Sequence, residues 1–137
     1  MRLVLIVSLF ITIISCASSQ KELPSSYIKL SKTSCLGTCP VYDIKISKKG
    51  LLLYNGINHV PTMGVLQKQL SDKELNKIIS LFETSKFKTI KPVIKKEIRD
   101  IPKVIISYEN QLLKFHGNQV PESIQTIITY LEAIVQP

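Results

Sequence analysis

The sequence predicts an α+β domain: a mainly antiparallel sheet built from hairpins, with two amphipathic helices packed on one face. Three observations carry this expectation. "VYDIKIS" with "LLLYNG", and "KVIISY" with "QLLKFH", each read as strand, turn, strand. Downstream of each hairpin, apolar residues recur at helical spacing. The order hairpin then helix therefore occurs twice, as expected for helices laid on an antiparallel sheet.

Taken in order, "YIKLSK" (27–32) alternates as a first strand. "VYDIKIS" (41–47) alternates apolar and polar residues and is rich in β-branched types. The three residues "KKG" separate it from "LLLYNG" (51–56), so Gly50 is placed at the left-handed position of a bulged hairpin turn. Pairing Ser47 with Leu51 sets Ile44 opposite Tyr54 and Ile46 opposite Leu52, on one face with Tyr42. "GVLQKQL" (64–70) supplies a further strand. "SDKE" (71–74) is a capping box, in which Ser71 accepts from the third helical N–H and Glu74 reaches back. Leu75, Ile78, Ile79 and Phe82 then mark an amphipathic helix over 72–84.

A lysine-rich stretch follows, with Pro92 and Pro102 arguing against regular structure across it. The second hairpin spans 103–108 and 111–116, with Glu109 and Asn110 in its turn. Pro121 suits the first position of a second helix, and Ile124, Ile127, Ile128, Leu131 and Ile134 form its apolar stripe. "ISKKGLLLYNG" (46–56) and "ISYENQLLKFHG" (106–117) echo each other, differing in length by one residue.

The N-terminus predicts an address. Arg2, the apolar run "LVLIVSLFITIIS" and Cys16 have the layout of an export signal. The run of 13 residues falls short of the roughly 20 needed to span a bilayer. "IISC" resembles the lipobox of bacterial lipoproteins, in which a small residue, here Ser15, precedes a cysteine that is cleaved and acylated. We therefore expect residues 1–15 to be a lipoprotein signal peptide and Cys16 to be the lipid attachment site. Residues 16–25 form the acylated cysteine and a flexible tether, and 26–137 the single α+β domain. The eight residues "ASSQKELP" span roughly 15 Å as a coil, which keeps the domain near the membrane facing the periplasm or the cell exterior.

The full chain has 18 Lys and Arg against 10 Asp and Glu, a net charge of +8. Outside the cytoplasm, that charge points to anionic lipid headgroups, an envelope protein or an anionic envelope polymer as partners. Nucleic acid is not expected, because the basic residues Lys86, Lys88, Lys91, Lys95, Lys96, Arg99 and Lys103 lack regular aromatic interleaving. The bland reading of that segment is a solvated loop; membrane-surface contact is the functional alternative.

Cys35 and Cys39 sit in "SCLGTCPVY". Once Cys16 is acylated they form an even pair in an oxidising compartment, which favours a disulfide around Gly37. The alternative is thiol exchange or Cu(I) binding. The C-x-x-x-C-P spacing resembles the copper motif of Sco-type chaperones, and His59 or His116 would be a third ligand. In that family the second cysteine belongs to a helix, whereas Pro40 here leads into a strand. No serine or cysteine nucleophile motif, paired carboxylates or phosphate loop is present, so we expect neither an enzyme nor a cofactor or metal.

At "TSCLGTCPVYDIKISKKGLLLYNG" (33–56) the sequence resembles the bacterial family known as domain of unknown function 6438. The pattern is C-x-G-x-C-P-x-Y, then strand, glycine turn and a strand ending in Y-x-G. It falls on Cys35, Gly37, Cys39, Pro40 and Tyr42, then Gly50, Tyr54 and Gly56. The likeness continues through 71–84 and more weakly through the second hairpin and last helix. It implies a small exported or lipid-anchored protein and no activity. The functional expectation is a lipid-anchored envelope protein with a non-catalytic binding or scaffolding domain. A periplasmic thiol-redox or copper-handling role of Cys35 and Cys39 is the alternative, and inhibition of an envelope enzyme is a third reading by fold-level analogy.

Overall fold

The computed structural model describes residues 27–91, 94 and 100–136. The expected signal peptide, Cys16 and the tether lie outside these residues, as do Lys95, Lys96 and Arg99. The strands are β1 (Ile28–Lys32), β2 (Val41–Ile46), β3 (Leu51–Asn58), β4 (Gly64–Gln69), β5 (Lys103–Tyr108) and β6 (Gln111–His116). Helix α1 (Asp72–Thr84) follows β4, and α2 (Glu122–Val135) follows β6. The strands form one sheet in the order β4-β3-β2-β1-β5-β6, and every neighbouring pair is antiparallel.

Alternation decides which face is buried. Ile28 pairs with Ile46 and with Tyr108, and Leu30 with Ile44 and Ile106. All of these are buried, together with Leu52, Tyr54, Val104, Leu113 and Phe115, in a core completed by Ile78 and Phe82 of α1 and Ile124, Ile127, Ile128 and Leu131 of α2. A side chain such as Leu30, wholly removed from water, contributes about 1.5–3 kcal/mol. The other face of the sheet is open to solvent, as antiparallel sheets allow, and exposes Lys29, Lys45, Val65 and Leu112.

The first hairpin has the expected register. Ile44 faces Tyr54 and Ile46 faces Leu52. Ser47 donates its N–H to the Leu51 carbonyl at 2.9 Å, and Gly50 has φ 76°, a conformation that glycine adopts without steric penalty. Strand β3 runs two residues past the expected end. Val41 pairs with Asn58 while Tyr42 pairs with Gly56, so Ile57 is the extra residue of a bulge.

The capping box is formed. Glu74 N–H donates to Ser71 Oγ at 3.3 Å, and Ser71 N–H donates to Glu74 Oε2 at 2.8 Å. Helix α1 starts next to Leu70, whose N–H donates to the Gly50 carbonyl, and ends with Phe82 stacked on Tyr108 at 4.6 Å. It thus crosses the strands near the end of the sheet that holds Tyr27 and both hairpin turns. Helix α2 crosses near the opposite end and finishes beside Tyr42, Tyr54 and Leu66.

One expectation is corrected: Pro121 is the N-cap of α2 and Glu122 its first residue. In the last turn Ile134 packs partly buried against the core, and Val135 joins the buried stripe. Within the lysine-rich segment, Phe87–Thr89 forms a 3-10 turn. It is anchored by Phe87, which meets Phe82 at 5.1 Å and Tyr108 at 6.3 Å.

Candidate functional site

At the sheet end opposite Tyr27, residues 33–40 form a loop tied down at its start. Thr33 N–H donates to the Lys103 carbonyl at 3.0 Å, and Lys103 N–H donates to Thr33 Oγ1 at 2.9 Å. Cys35 and Cys39 lie at disulfide distance, with Cα atoms 5.8 Å apart. Gly37 between them has φ 139°, within the region that favours glycine. Leu36, at the tip, is 81 % exposed. Pro40 then delivers the chain into β2.

Behind this loop, three elements converge on one carboxylate. Glu132 of α2 accepts at Oε1 from Tyr42 Oη of β2 at 2.5 Å and from Lys32 Nζ of β1 at 2.7 Å. The Lys32 ammonium also sits 5.7 Å from the centre of the Tyr42 ring. Tyr54 packs against Tyr42 with ring centres 5.9 Å apart and donates its hydroxyl to the Thr62 carbonyl at 3.0 Å. That contact depends on Gly56: a Cβ there would lie 2.0 Å from Thr62 O and 2.9 Å from Val60 Cγ2. The glycine beside the bulge therefore lets residues 60–62 fold down over the sheet.

The result is a cleft of about 220 Å³, lined by Pro40, Tyr42, Tyr54, Val60, Pro61, Thr62, Glu132, Val135 and Gln136. On the other side of Pro40 lies a second hollow of about 180 Å³, walled by Cys39, Thr33, Pro102 and Gln125. The cysteine loop is the partition between the two.

A family model described as Domain of unknown function (DUF6438) matches residues 26–135. The chain belongs to that family. No curated protein and no solved structure matches it. The motif residues singled out in sequence are spread from 35 to 56, and the fold gathers most of them. Pro40, Tyr42 and Tyr54 line the cleft, Gly56 makes room for its roof, and Cys39 borders the neighbouring hollow.

Burial, followed by the bond to Glu132, pushes the Tyr42 hydroxyl well above the ordinary phenol range. Burial and the Glu132 charge raise Tyr54 likewise. Both phenols stay protonated at physiological pH and act as fixed donors, unavailable as bases or nucleophiles. The cleft thus offers apolar walls, aromatic faces and one carboxylate held by two donors.

The residues considered for metal lie elsewhere. His116 is buried in β6 opposite Lys103, and His59 is exposed in the β3–β4 loop with φ 50°. Neither lines the cleft. Among the described residues no three His, Cys, Asp or Glu side chains group as a metal site would require, and no helix is long and apolar enough to cross a membrane.

The Lys32–Glu132 ion pair beside the cleft was missed in sequence. Lys32 reads as a polar position of an alternating strand. Glu132 follows Ile128 by four residues, at the border of the apolar stripe of α2. A carboxylate at that border is the signal that was present, but its partners lie 90 and 100 residues away.

Proposed function

We propose that this chain is an exported, lipid-anchored envelope protein whose α+β domain is non-catalytic and binds another envelope component at the cleft beside the cysteine loop. The observation that supports this reading is the convergence of Pro40, Tyr42, Tyr54 and the Gly56-dependent roof on one cleft. Its ionisable groups are committed to each other. A cleft of about 220 Å³ accepts a side chain or a short extended segment of a partner, not a large ligand, for which pockets run from about 300 Å³ upward. The disulfide reading of Cys35 and Cys39 belongs to the same proposal: closing the loop holds Pro40 against the cleft wall.

In-cell photocrosslinking tests it. A crosslinking amino acid in place of Val60 or Gln136, at the cleft, is expected to capture a partner that the same residue at Thr126, on the outer face of α2, does not. Capture from Thr126 alone would refute the cleft. Incorporation of labelled fatty acid into the native chain and its loss in Cys16→Ser tests the anchor. Thiol titration of aerobically purified protein tests the loop. Two free thiols without reductant would remove the disulfide and favour the thiol or copper role instead.

A further inference from the structure

The opposite end of the domain carries a second surface. We infer that the end of the sheet from which the tether departs docks onto the anionic phospholipid headgroups of the membrane that holds the anchor. The inference rests on the lipid-anchor reading, since the tether fixes which end is near the bilayer. Tyr27 is the first described residue and its backbone is clamped there: its N–H donates to the Ile46 carbonyl at 2.8 Å, and its carbonyl accepts from Glu109 N–H at 2.9 Å. Cys16 lies 11 residues upstream, a reach of at most about 40 Å. This end is therefore the one held toward the headgroups, whatever the cleft at the other end does.

Four lysines gather at this end. Lys29 and Lys45 face each other directly across β1 and β2, and both are exposed. Like charges directly opposite in an antiparallel pair are destabilising, and the row that holds them continues as Leu53 and Gln67 on one side and Ser107 and Leu112 on the other. That row contains no carboxylate. Asp43, in the next row, accepts from Ser31 Oγ. Lys48 and Lys49 occupy the β2–β3 turn, with Lys48 Nζ 5.6 Å above the Tyr27 ring. The carboxylate nearest the tether, Glu109, is engaged by Lys88 at 2.6 Å and by the Tyr27 hydroxyl at 3.2 Å. Among the described residues, no carboxylate is within ion-pair distance of Lys29, Lys45, Lys48 or Lys49. A membrane surface rich in anionic lipid supplies counter-charge beyond the Glu109 carboxylate that Lys48 already feels, and relieves the Lys29–Lys45 repulsion, at about a fivefold gain in affinity per lysine brought to the surface. Bringing the domain down on this end also presents the cleft away from the membrane.

Lysine footprinting of the full lipidated chain reconstituted in vesicles tests this. With phosphatidylglycerol present, amine reactivity at Lys29, Lys45, Lys48 and Lys49 is expected to drop several-fold relative to pure phosphatidylcholine, and to recover in high salt. Lys73 and Lys77, on the outer face of α1, are the internal controls. Equal reactivity of the four lysines in both vesicles overturns the inference, and so does protection by a soluble anionic polymer but not by vesicles. Mass spectrometry of the same preparation separates the two readings. An unacylated Cys16 removes the anchor itself, whereas an acylated Cys16 with unprotected lysines removes only the docking. A Lys29→Gln, Lys45→Gln, Lys48→Gln, Lys49→Gln variant is expected to remain acylated and folded, and to lose the difference between the vesicle types at Lys86 and Lys88.

Discussion

Replacing Gly56 by alanine isolates the contact on which the cleft depends. Gly56 lies outside the left-handed region, so an alanine fits its backbone and the penalty is steric. The new methyl would start 2.0 Å from the Thr62 carbonyl oxygen and 2.9 Å from the Tyr54 hydroxyl. Relief requires the carbonyl to retreat by at least about 1 Å, which breaks the 3.0 Å bond from Tyr54 and strands a half-buried hydroxyl. The lost bond costs about 1 kcal/mol, and overpacking costs about 1–3 kcal/mol more. The lower entropy of the unfolded chain returns about 0.4–1 kcal/mol. The net loss is about 1–3.6 kcal/mol. For a ~110-residue domain unfolding with ~2.1 cal/mol/K per residue, that is a fall in Tm of about 4–16 °C. Gly64→Ala is the control, because Gly64 has φ 85° and nothing within 4 Å of its added methyl. Its cost is the backbone penalty of about 1–2 kcal/mol alone, less the same entropic return. Thermal melts by circular dichroism on the chain from Ala17 onward measure both. A Gly56→Ala variant that melts no lower than Gly64→Ala would show that the roof of the cleft does not rest on this glycine.

Other outcomes follow from the same contacts. Phe87→Ala removes the anchor of the 3-10 turn from a pocket of Phe82 and Tyr108 and should cost about 3–5 kcal/mol, read from urea midpoints. Backbone N–H donation from Ser71, with Lys68 behind it, lowers the Glu74 carboxyl from 4.5 to about 2. The capping box thus gives its full stability above pH 4.5 and loses it as pH falls toward 2. Glu74→Gln should flatten that part of the acid limb. Tyr42 behaves in the opposite sense. Its folded hydroxyl is held above the ordinary value of 10.0, so the unfolded state releases its proton first. Stability should fall as pH rises past about 10, and Tyr42→Phe should shrink that loss. Ser71→Ala, which removes the acceptor for Glu74 N–H, should cost about 1 kcal/mol.

The elements were legible wherever a local pattern carried the physics. Alternation in 41–47 and 51–56, with Gly50 between them, sets the hairpin register, because a slip of one residue would turn Ile44 and Ile46 to solvent. Ser71 and Glu74 mark the start of α1 because both partners lie within one turn. The cleft was legible only in part. Pro40, Tyr42, Tyr54 and Gly56 stood out as a pattern, but nothing local says that Gly56 is small because residue 62 must approach it. Glu132 meets Tyr42 and Lys32 only through the whole sheet order, and no periodicity encodes such a pairing. Phe87 was hidden for a related reason, since a lone aromatic among lysines carries no stripe.

Strand β1 has a further consequence once its place in the sheet is combined with the two ends of the domain. It lies between β2 and β5 and is paired along its length to both. The tether joins its beginning, while the loop of Pro40 enters β2 at the far end, where Lys32 pairs with Tyr42. Under the proposed anchor and partner, a pull between them would run along these neighbouring strands in opposite directions. The β1–β2 ladder would then be loaded in shear, its hydrogen bonds yielding together instead of unzipping singly. Forced unfolding is governed by the unfolding rate, so on that proposal the domain would serve as a stiff link.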